Sequence, residues 1–519
     1  MPSETGKFSH WTKVKPSLFD VSGAGRETIV LYGFILDGRL DLDILQHAWK
    51  KMCLAWPILT ARLRKSHKSK RPADWHYLIP PASELLSVIE ADMSECCSAS
   101  NRSLVFEKIR SPVREYRPFA EALGLPEDRP SVVHGTRTTE TKPKTRSSTM
   151  RMFAANAPLT IRHLFEEDRP MVTAKIMRFT DATSIGIAVP HVLADGPGAH
   201  EIIKAWASIA NGRAPNIEPL AKLGQDCFAS LAPGGPQATE QAALRARAGQ
   251  GEIPAPPGWR AFNFRQALAF GARFFWDVLW TRPERTMENR EVYLPPHYID
   301  EVKAAVLSEL EIKSAVEKAE FVSTSDIVTA IVLKKMCSLD ARGPNDKRLV
   351  SFLYPVNLRW QPNAAEFVQL PSPYLHNAVL PISLPEQPIG ELVHGLSIAD
   401  VALQIRRALQ RESQPEAIRR GLIWRLANAH KLLLFFRPSS FWIAGANWRA
   451  MRLYDVSFEG ALDHSVSQPS ATGRTLKVWN QTIADTPVRN IFCLTGDDPA
   501  GGIWLNMVLS QSQWDRIDF

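Results

Sequence analysis

Strands and helices alternate along this chain in two runs, and a stretch of different composition separates the runs. Residues 28–36 are an apolar, β-branched run typical of a strand, and Asp41 can cap the helix predicted to follow it. Residues 213–258 are rich in Ala, Gly and Pro, and the alternation resumes beyond them. This pattern favours an α/β fold in two similar halves over a helical bundle.

The change of composition also gives the predicted domain boundaries. We expect an N-terminal half-domain over residues 1–212, a crossover linker over residues 213–290 and a C-terminal half-domain over residues 291–519. A chain of 519 residues with 45% hydrophobic residues can fill two large cores. We expect the segment near residues 355–385 to be the part of the C-terminal half that can pack with the N-terminal half.

Local patterns predict several further elements. Residues 58–63 are expected to form a strand after Pro57 ends the preceding helix, and residues 375–382 a strand in the second half. Residues 490–509 are expected to form a hairpin. Residues 137–151 are polar and basic, which favours a solvated surface loop, with an anion-binding role as the alternative.

Charge, cysteines and the first residues argue against several protein classes. The net charge of +8 suits anionic ligands but falls short of the basic footprint of a nucleic-acid-binding protein. The six cysteines form no CxxC pair and no zinc spacing, so no metal site is expected. The chain start has no apolar signal sequence, and the apolar stretch from Leu432 is too short and interrupted to span a bilayer. We expect a cytoplasmic monomer without a nucleic-acid or membrane partner.

One short motif, HVLADG at residues 191–196, carries the reactive side chains. It lies between a predicted strand and a predicted helix. Gly196 allows a tight turn in which the Asp195 carboxylate turns away to lock the loop while the imidazole of His191 faces a cavity. Histidine is a natural general base because its ordinary pKa lies close to neutrality. By itself the motif is equally compatible with a histidine that only satisfies a turn.

Further segments follow this motif in a consistent order along the chain. They are SDIVTA from Ser325, PVNLRW from Pro355, PYLHNAVL from Pro373 and NWRAMRLYDVSFEGA from Asn447. Together with HVLADG they resemble the BAHD and chloramphenicol-acetyltransferase-like superfamily of CoA-dependent acyltransferases, in its fungal BAHD-like (trichothecene 3-O-acetyltransferase-like) branch. The resemblance runs over most of the chain. It implies an α/β fold of two half-domains, each a mixed sheet with flanking helices, joined by a crossover linker.

The resemblance also implies an activity. The chain would transfer an acyl group, acetyl as the first choice, from a CoA thioester to a hydroxyl of a specialised metabolite. His191 would be the general base in a ternary complex, in a tunnel between the two halves. Acyl-CoA would be a co-substrate, with no bound cofactor. Direct transfer agrees with the absence of a GxSxG motif and of a cysteine flanked by signals that would lower its pKa.

The resemblance also implies roles for other residues. Asp195, Gly196 and Arg359 would be structural, with Arg359 holding Asp195 and thereby the active-site loop. Asn377 would line the substrate channel. His376 stands where the family usually has glycine, so it would narrow or tune the channel, with a surface-facing histidine as an equal alternative.

Two departures from the family pattern concern the C-terminal half. The family's DFGWG corresponds to residues 457–461, SFEGA, which puts local loop geometry on the CoA side in doubt. The family's Thr-Ser-Trp reads Ala446, Asn447 and Trp448, so the hydroxyl that could stabilise the oxyanion is replaced. Either the Asn447 amide or a main-chain N–H would then serve. Trp448 is interpreted as a wall of the substrate channel, with core packing as an equal alternative.

Two other functions are compatible with the same motifs. A condensation-type acyltransferase would take its acyl group from a carrier protein and use the same base. A catalytically silent relative would only bind a ligand, as the SFEGA and Ala-Asn-Trp departures suggest. The intact His191, Asp195, Gly196 and Arg359 favour catalysis.

Overall fold

The fold is described from a computed structural model of the chain. It covers residues 8–22, 24–65, 74–96, 125–137, 148–154, 157–179, 181–213, 218, 220, 226–231, 254–276, 287–314, 320–429, 431–435, 437, 440–465, 467, 469–485 and 488–519.

The strands and helices alternate along the described chain. The strands are β1 (Thr12–Val14), β2 (Ile29–Asp37), β3 (Arg62–Lys65), β4 (Trp75–Ile79), β5 (Ser131–Arg137), β6 (Thr173–Arg178), β7 (Ala182–Pro190), β8 (Arg260–Phe262), β9 (Met287–Leu294), β10 (Leu349–Asn357), β11 (Val379–Ser383), β12 (Gln387–Pro388), β13 (Leu432–Leu434), β14 (Phe441–Asn447), β15 (Thr475–Ile483), β16 (Ile491–Asp497) and β17 (Ile503–Ser510). The helices are α1 (Leu18–Val21), α2 (Leu42–Ala55), α3 (Ala82–Cys96), α4 (Ser148–Ala154), α5 (Ile161–Glu166), α6 (Gly196–Ala210), α7 (Phe264–Trp276), α8 (Pro296–Ser314), α9 (Thr324–Ser338), α10 (Ile398–Glu412), α11 (Pro415–Ala427) and α12 (Gln511–Trp514).

The first large sheet has four strands in the order β15-β2-β7-β6, all antiparallel. Every residue of β7 is buried, as expected for a strand covered on both faces. Helices α2 and α6 pack together beside this sheet, where the rings of Trp49 and Trp206 meet edge to face with centroids 4.8 Å apart. The core of this half therefore supports the strand and the helix that flank HVLADG.

The second large sheet has eight strands in the order β11-β10-β14-β16-β17-β9-β5, with β12 beside β10. Strands β10, β14 and β16 run parallel, and the other pairs are antiparallel, so this sheet is mixed. Because parallel strands point the same way, the ends of β10 at Asn357 and of β14 at Asn447 lie along one edge. A second hydrophobic core forms between this sheet and α9 and α10.

The two halves exchange strands. Strand β5, from within residues 1–212, pairs with β9 in the eight-stranded sheet. Strand β15, from within residues 291–519, pairs with β2 in the four-stranded sheet. The predicted domain boundaries stay a prediction, but the sheets cross them in both directions.

The structure confirms the α/β fold with two sheet-centred halves and also differs locally from the predictions. Residues Pro57–Thr60 form a 3-10 turn rather than a strand, and the strand begins at Arg62. Proline fixes φ near −65°, which suits the first position of such a turn. Residues 137–151 are not one loop, because Arg137 ends β5 and Ser148 begins α4, while residues 138–147 lie outside the described part.

Among the described helices, none combines the length and the apolar character that a membrane crossing requires.

Candidate active site

His191 lies directly after β7, at the junction of the two halves. Its main-chain N–H donates to the Thr28 carbonyl at 2.9 Å, and its carbonyl accepts from Asn377 Nδ2 at 2.8 Å. Its ring lies beside Gly25, where a Cβ atom would be 3.5 Å from His191 Nε2. The backbone of this histidine is therefore held by one segment from each half.

Asp195 caps α6 and directs its carboxylate toward the C-terminal half. Its Oδ1 accepts from the Gly198 N–H at 2.9 Å. Its Oδ2 accepts from Arg359 Nη1 at 2.8 Å, from the Ala378 N–H at 2.9 Å and from Asn357 Nδ2 at 3.2 Å. Since the residue is 3% exposed, these donors compensate a charge that burial alone would make costly. The sequence analysis did not identify Asn357 as one of them.

Arg359 joins Asp195 to the segment that precedes β11. Its Nη2 donates to the carbonyls of Tyr374 at 3.0 Å and His376 at 2.6 Å. These contacts hold the main chain before Val379, which explains why the strand predicted over residues 375–382 begins only at Val379. One planar guanidinium thus fixes two loops.

Trp448 packs against the HVLADG loop. A Cβ atom on Gly196 would lie 3.0 Å from Trp448 Nε1, so the absence of a side chain there lets the indole approach closely. The indole of Trp448 also stacks on the ring of Tyr32 in β2, with ring centroids 5.3 Å apart. Trp448 therefore packs against both the HVLADG loop and the first core, and its role as a wall of the substrate channel stays a prediction.

Asn447 is held by its side-chain oxygen. Its Oδ1 accepts from the Arg449 N–H at 3.1 Å. Burial raises the pKa of Tyr354 to about 12, and the side chain of Asn447 acts in the opposite direction. Arg449 in turn donates to Ser325 Oγ at 2.8 Å, which links this segment to the SDIVTA motif at the start of α9. The side-chain oxygen of Asn447 is thus held within the protein.

Asp20 is a residue of this site that the sequence analysis missed. Its Oδ1 accepts from the Asn377 N–H at 2.9 Å and from Asn377 Nδ2 at 2.8 Å. Its Oδ2 lies 3.1 Å from Nδ1 of His376. The Ser17 and Asp20 pattern of a capping box is a local signal that the sequence contains. It does not indicate the partners His376 and Asn377, which lie more than 350 positions away.

His376 does not face solvent, since its side chain is 19% exposed and lies against the fully buried carboxylate of Asp20. Burial disfavours the charge of both groups, but their mutual attraction outweighs it. The pKa of His376 is accordingly raised above 6.5, and the pKa of Asp20 is lowered below 3.8. Its expected role in the channel stays a prediction.

The SFEGA segment lies far from the base. Asn211, just after α6, donates to the Ser457 carbonyl at 2.8 Å and accepts from the Gly460 N–H at 2.9 Å. Because HVLADG is at the other end of this 15-residue helix, the two are separated by about 20 Å along its axis. This departure from the family pattern therefore does not touch His191.

A cleft of about 540 Å³ lies near Ser351, at the beginning of β10, and His191 does not line it. The predicted tunnel through His191 stays a prediction. Within the described ranges, His, Cys, Asp and Glu side chains form no cluster of three that could hold a metal ion.

Comparison with known proteins gives a consistent result. A model of the Transferase family matches residues 156–463, a span that includes HVLADG, PVNLRW and SFEGA. Acetyltransferase MATC1 of Mycosarcoma maydis is 24% identical over 97% of this chain and 95% of its own length. Acetyltransferase BOT5 of Botryotinia fuckeliana is 25% identical over 69% of this chain and 67% of its own.

Solved structures share the fold. F. graminearum TRI101, in complex with coenzyme A and deoxynivalenol, is similar with a TM-score of 0.64 and 14% identity, covering 97% of this chain and 96% of its own. Vinorine synthase is similar with a TM-score of 0.53 and 11% identity, covering 99% of this chain and 94% of its own.

Proposed function

Because this chain belongs to the Transferase family and is an acyltransferase, we propose that it moves an acyl group from an acyl-CoA to a hydroxyl of a specialised metabolite, with His191 as general base. The observation that carries the assignment is that the two polar side chains of HVLADG have different partners. The Asp195 carboxylate is committed to Arg359 and main-chain donors, and this leaves the imidazole of His191 to act on a substrate.

The chemistry needs only one side-chain base. An imidazole nitrogen of His191 would take the proton of the acceptor hydroxyl while the oxygen attacks the thioester carbonyl. The tetrahedral intermediate would then collapse, breaking the C–S bond. The imidazolium would return its proton to the departing thiolate, which gives an ester and free CoA. Atoms and charge balance without a covalent acyl-enzyme.

The choice of substrates follows from the relatives. MATC1 and BOT5 are named acetyltransferases, and the TRI101 structure holds coenzyme A together with deoxynivalenol. For this chain we propose acetyl-CoA as the donor and a hydroxylated small molecule as the acceptor, bound together in a ternary complex. We further propose that it acts in the cytoplasm and as a monomer. Light scattering after size-exclusion chromatography would test the oligomeric state.

A His191→Ala variant tests the proposal. We expect a loss of about 100- to 10,000-fold in free-thiol release from acetyl-CoA in the presence of a panel of hydroxylated metabolites, with ester formation followed by mass spectrometry. Coenzyme A binding by calorimetry and the circular dichroism spectrum should be unchanged. His47→Ala, on the exposed face of α2, is the matched control and should keep full activity. Near-complete acyl transfer by His191→Ala would refute the proposed base.

A further inference from the structure

We propose that Asp20 is a positioning residue for the base, acting through Asn377, and that a protonated His376 balances its charge. The inference rests on the proposed role of His191. Asp20 belongs to α1 at the start of the chain, yet its side chain is completely buried at the junction of the halves. A buried carboxylate is retained only where hydrogen bonds and opposite charge compensate its desolvation.

The first step is the contact between Asp20 and Asn377. One carboxylate oxygen accepts from both the main-chain N–H and the side-chain amide of Asn377, at 2.9 and 2.8 Å. The same amide nitrogen donates to the carbonyl of His191 at 2.8 Å. An amide nitrogen has two hydrogens, and here both are used. Asp20 therefore sets the orientation in which Asn377 can hold the backbone of the base.

The second step concerns the main-chain N–H and the ring of His191. The N–H of His191 donates to the carbonyl of Thr28 at 2.9 Å, and Gly25 of the preceding turn lies against the imidazole. Asp20 lies just before this turn along the chain. Thr28 thus holds the N–H of the base, and Asp20, acting through Asn377, holds its carbonyl. A base whose backbone is held on both sides keeps its ring in a narrow range of positions, which general-base catalysis requires.

The third step is the charge balance. Nδ1 of His376 lies 3.1 Å from Oδ2 of Asp20, but its alignment is that of a charge pair rather than of a hydrogen bond. Of the other charged groups that face the pair, Asp226 favours the protonated form of His376 and Arg359 opposes it. Arg425 faces Asp20 and donates to the Phe19 carbonyl at 2.9 Å. The positive charge nearest to Asp20 Oδ2 is then that of His376.

The pair makes the position of the base sensitive to alkaline pH. Below the folded pKa of His376 the imidazolium compensates Asp20. As the pH rises through that pKa, which lies above 6.5, the compensation is lost and the Asp20–Asn377–His191 chain loosens. A catalytic rate that depends on deprotonated His191 would rise with pH on its acid limb. The loss of the His376 charge should lower the catalytic rate again at higher pH, which gives the pH profile a separate alkaline limb.

The experiment compares Asp20→Ala, Asp20→Asn and His376→Gln with the wild type, using acetyl-CoA and the best acceptor found with the wild type. Asp20→Ala should lower kcat about 10- to 100-fold, the range for losing a hydrogen bond to a charged group, while KM for acetyl-CoA changes less than twofold. Asp20→Asn keeps an acceptor oxygen for Asn377 and should recover part of that loss. In Asp20→Asn and His376→Gln the alkaline decline of kcat should disappear. Asp43→Ala, at the exposed start of α2, is the control.

The outcomes separate this inference from the proposed function. If His191→Ala is inactive but Asp20→Ala keeps kcat within twofold, Asp20 does not position the base and only this inference fails. If His191→Ala is active, the proposed function itself fails. If Asp20→Ala does not fold, the pH profiles of the other two variants decide, and an unchanged alkaline limb in both would overturn the charge pairing.

Discussion

Arg359 Nη1 lies 2.8 Å from Oδ2 of Asp195, and this ion pair joins the HVLADG loop to the C-terminal half. Both side chains are largely buried, at 13% and 2% exposure. A buried pair contributes little relative to an apolar contact, but removing one member leaves the other charged and uncompensated. The pair therefore matters most for the position of the loop, and its loss is expected to be severe.

Arg359→Ala should destabilise the protein by about 3–5 kcal/mol, because the buried Asp195 carboxylate loses its counter-charge. Two carbonyls before β11 lose their donor at the same time. Arg359→Lys keeps the charge but not the planar set of donors. Its stability should therefore lie between that of Arg359→Ala and that of the wild type. Urea unfolding followed by fluorescence measures both. Arg162→Ala removes an exposed pair on α5 and should leave the midpoint unchanged. A midpoint for Arg359→Ala equal to that of Arg162→Ala would contradict this account.

The Asp20–His376 pair predicts how stability depends on pH. The raised pKa of His376 means that its contribution is complete below pH 6.5 and is lost as the pH rises through its folded pKa. The lowered pKa of Asp20 means that its contribution is complete above pH 3.8 and is lost as the pH falls through its folded pKa. The melting temperature of the wild type, relative to that of His376→Gln, should thus decline in alkaline buffer. Parallel profiles for the two proteins would exclude the pair as the cause.

Local structure was largely predictable from the sequence, whereas partners distant in the chain were not. The strand predicted over 28–36 is β2, Asp41 caps α2, and the hairpin predicted over 490–509 is β16 and β17. These are confirmed because periodicity and capping act over a few residues. The pairing of β15 with β2 depends on contacts that span hundreds of positions, about which local periodicity carries no information.

The same distinction applies to the site. His191 and Asp195 stand in a recognisable motif, and the contact of Asp195 with Arg359 was expected from a family resemblance. The local sequence around Asp20 indicates at most a helix start, through its capping box with Ser17, and no distant partner. Only the folded chain places it beside Asn377.

Gly25→Ala tests how closely the turn before β2 borders the base. The new methyl group would lie 3.5 Å from the His191 ring, an ordinary contact, so the fold should be unaffected. We expect a fall in kcat/KM for the acceptor, since the space beside the imidazole shrinks. Gly271→Ala is the matched control, because nothing lies within 4 Å of its Cβ position in α7, and it should raise stability by about 0.5–1 kcal/mol. Steady-state kinetics with varied acceptor would detect the difference, and equal kcat/KM for both variants would place the acceptor away from Gly25.

Asn447→Ala addresses the donor that stabilises the oxyanion. Removing an essential donor lowers kcat about 100- to 1,000-fold. Here the side-chain oxygen of Asn447 is held by the Arg449 N–H, and its side chain lowers the pKa of Tyr354, so we expect a main-chain N–H to stabilise the oxyanion instead. The variant should then lose less than tenfold in kcat, and the pKa of Tyr354 should rise further once the Asn447 side chain no longer lowers it. Single-turnover rates of ester formation decide the matter, because they report the chemical step without product release. A loss of 100-fold or more, with the fold intact, would assign the oxyanion donor to Asn447.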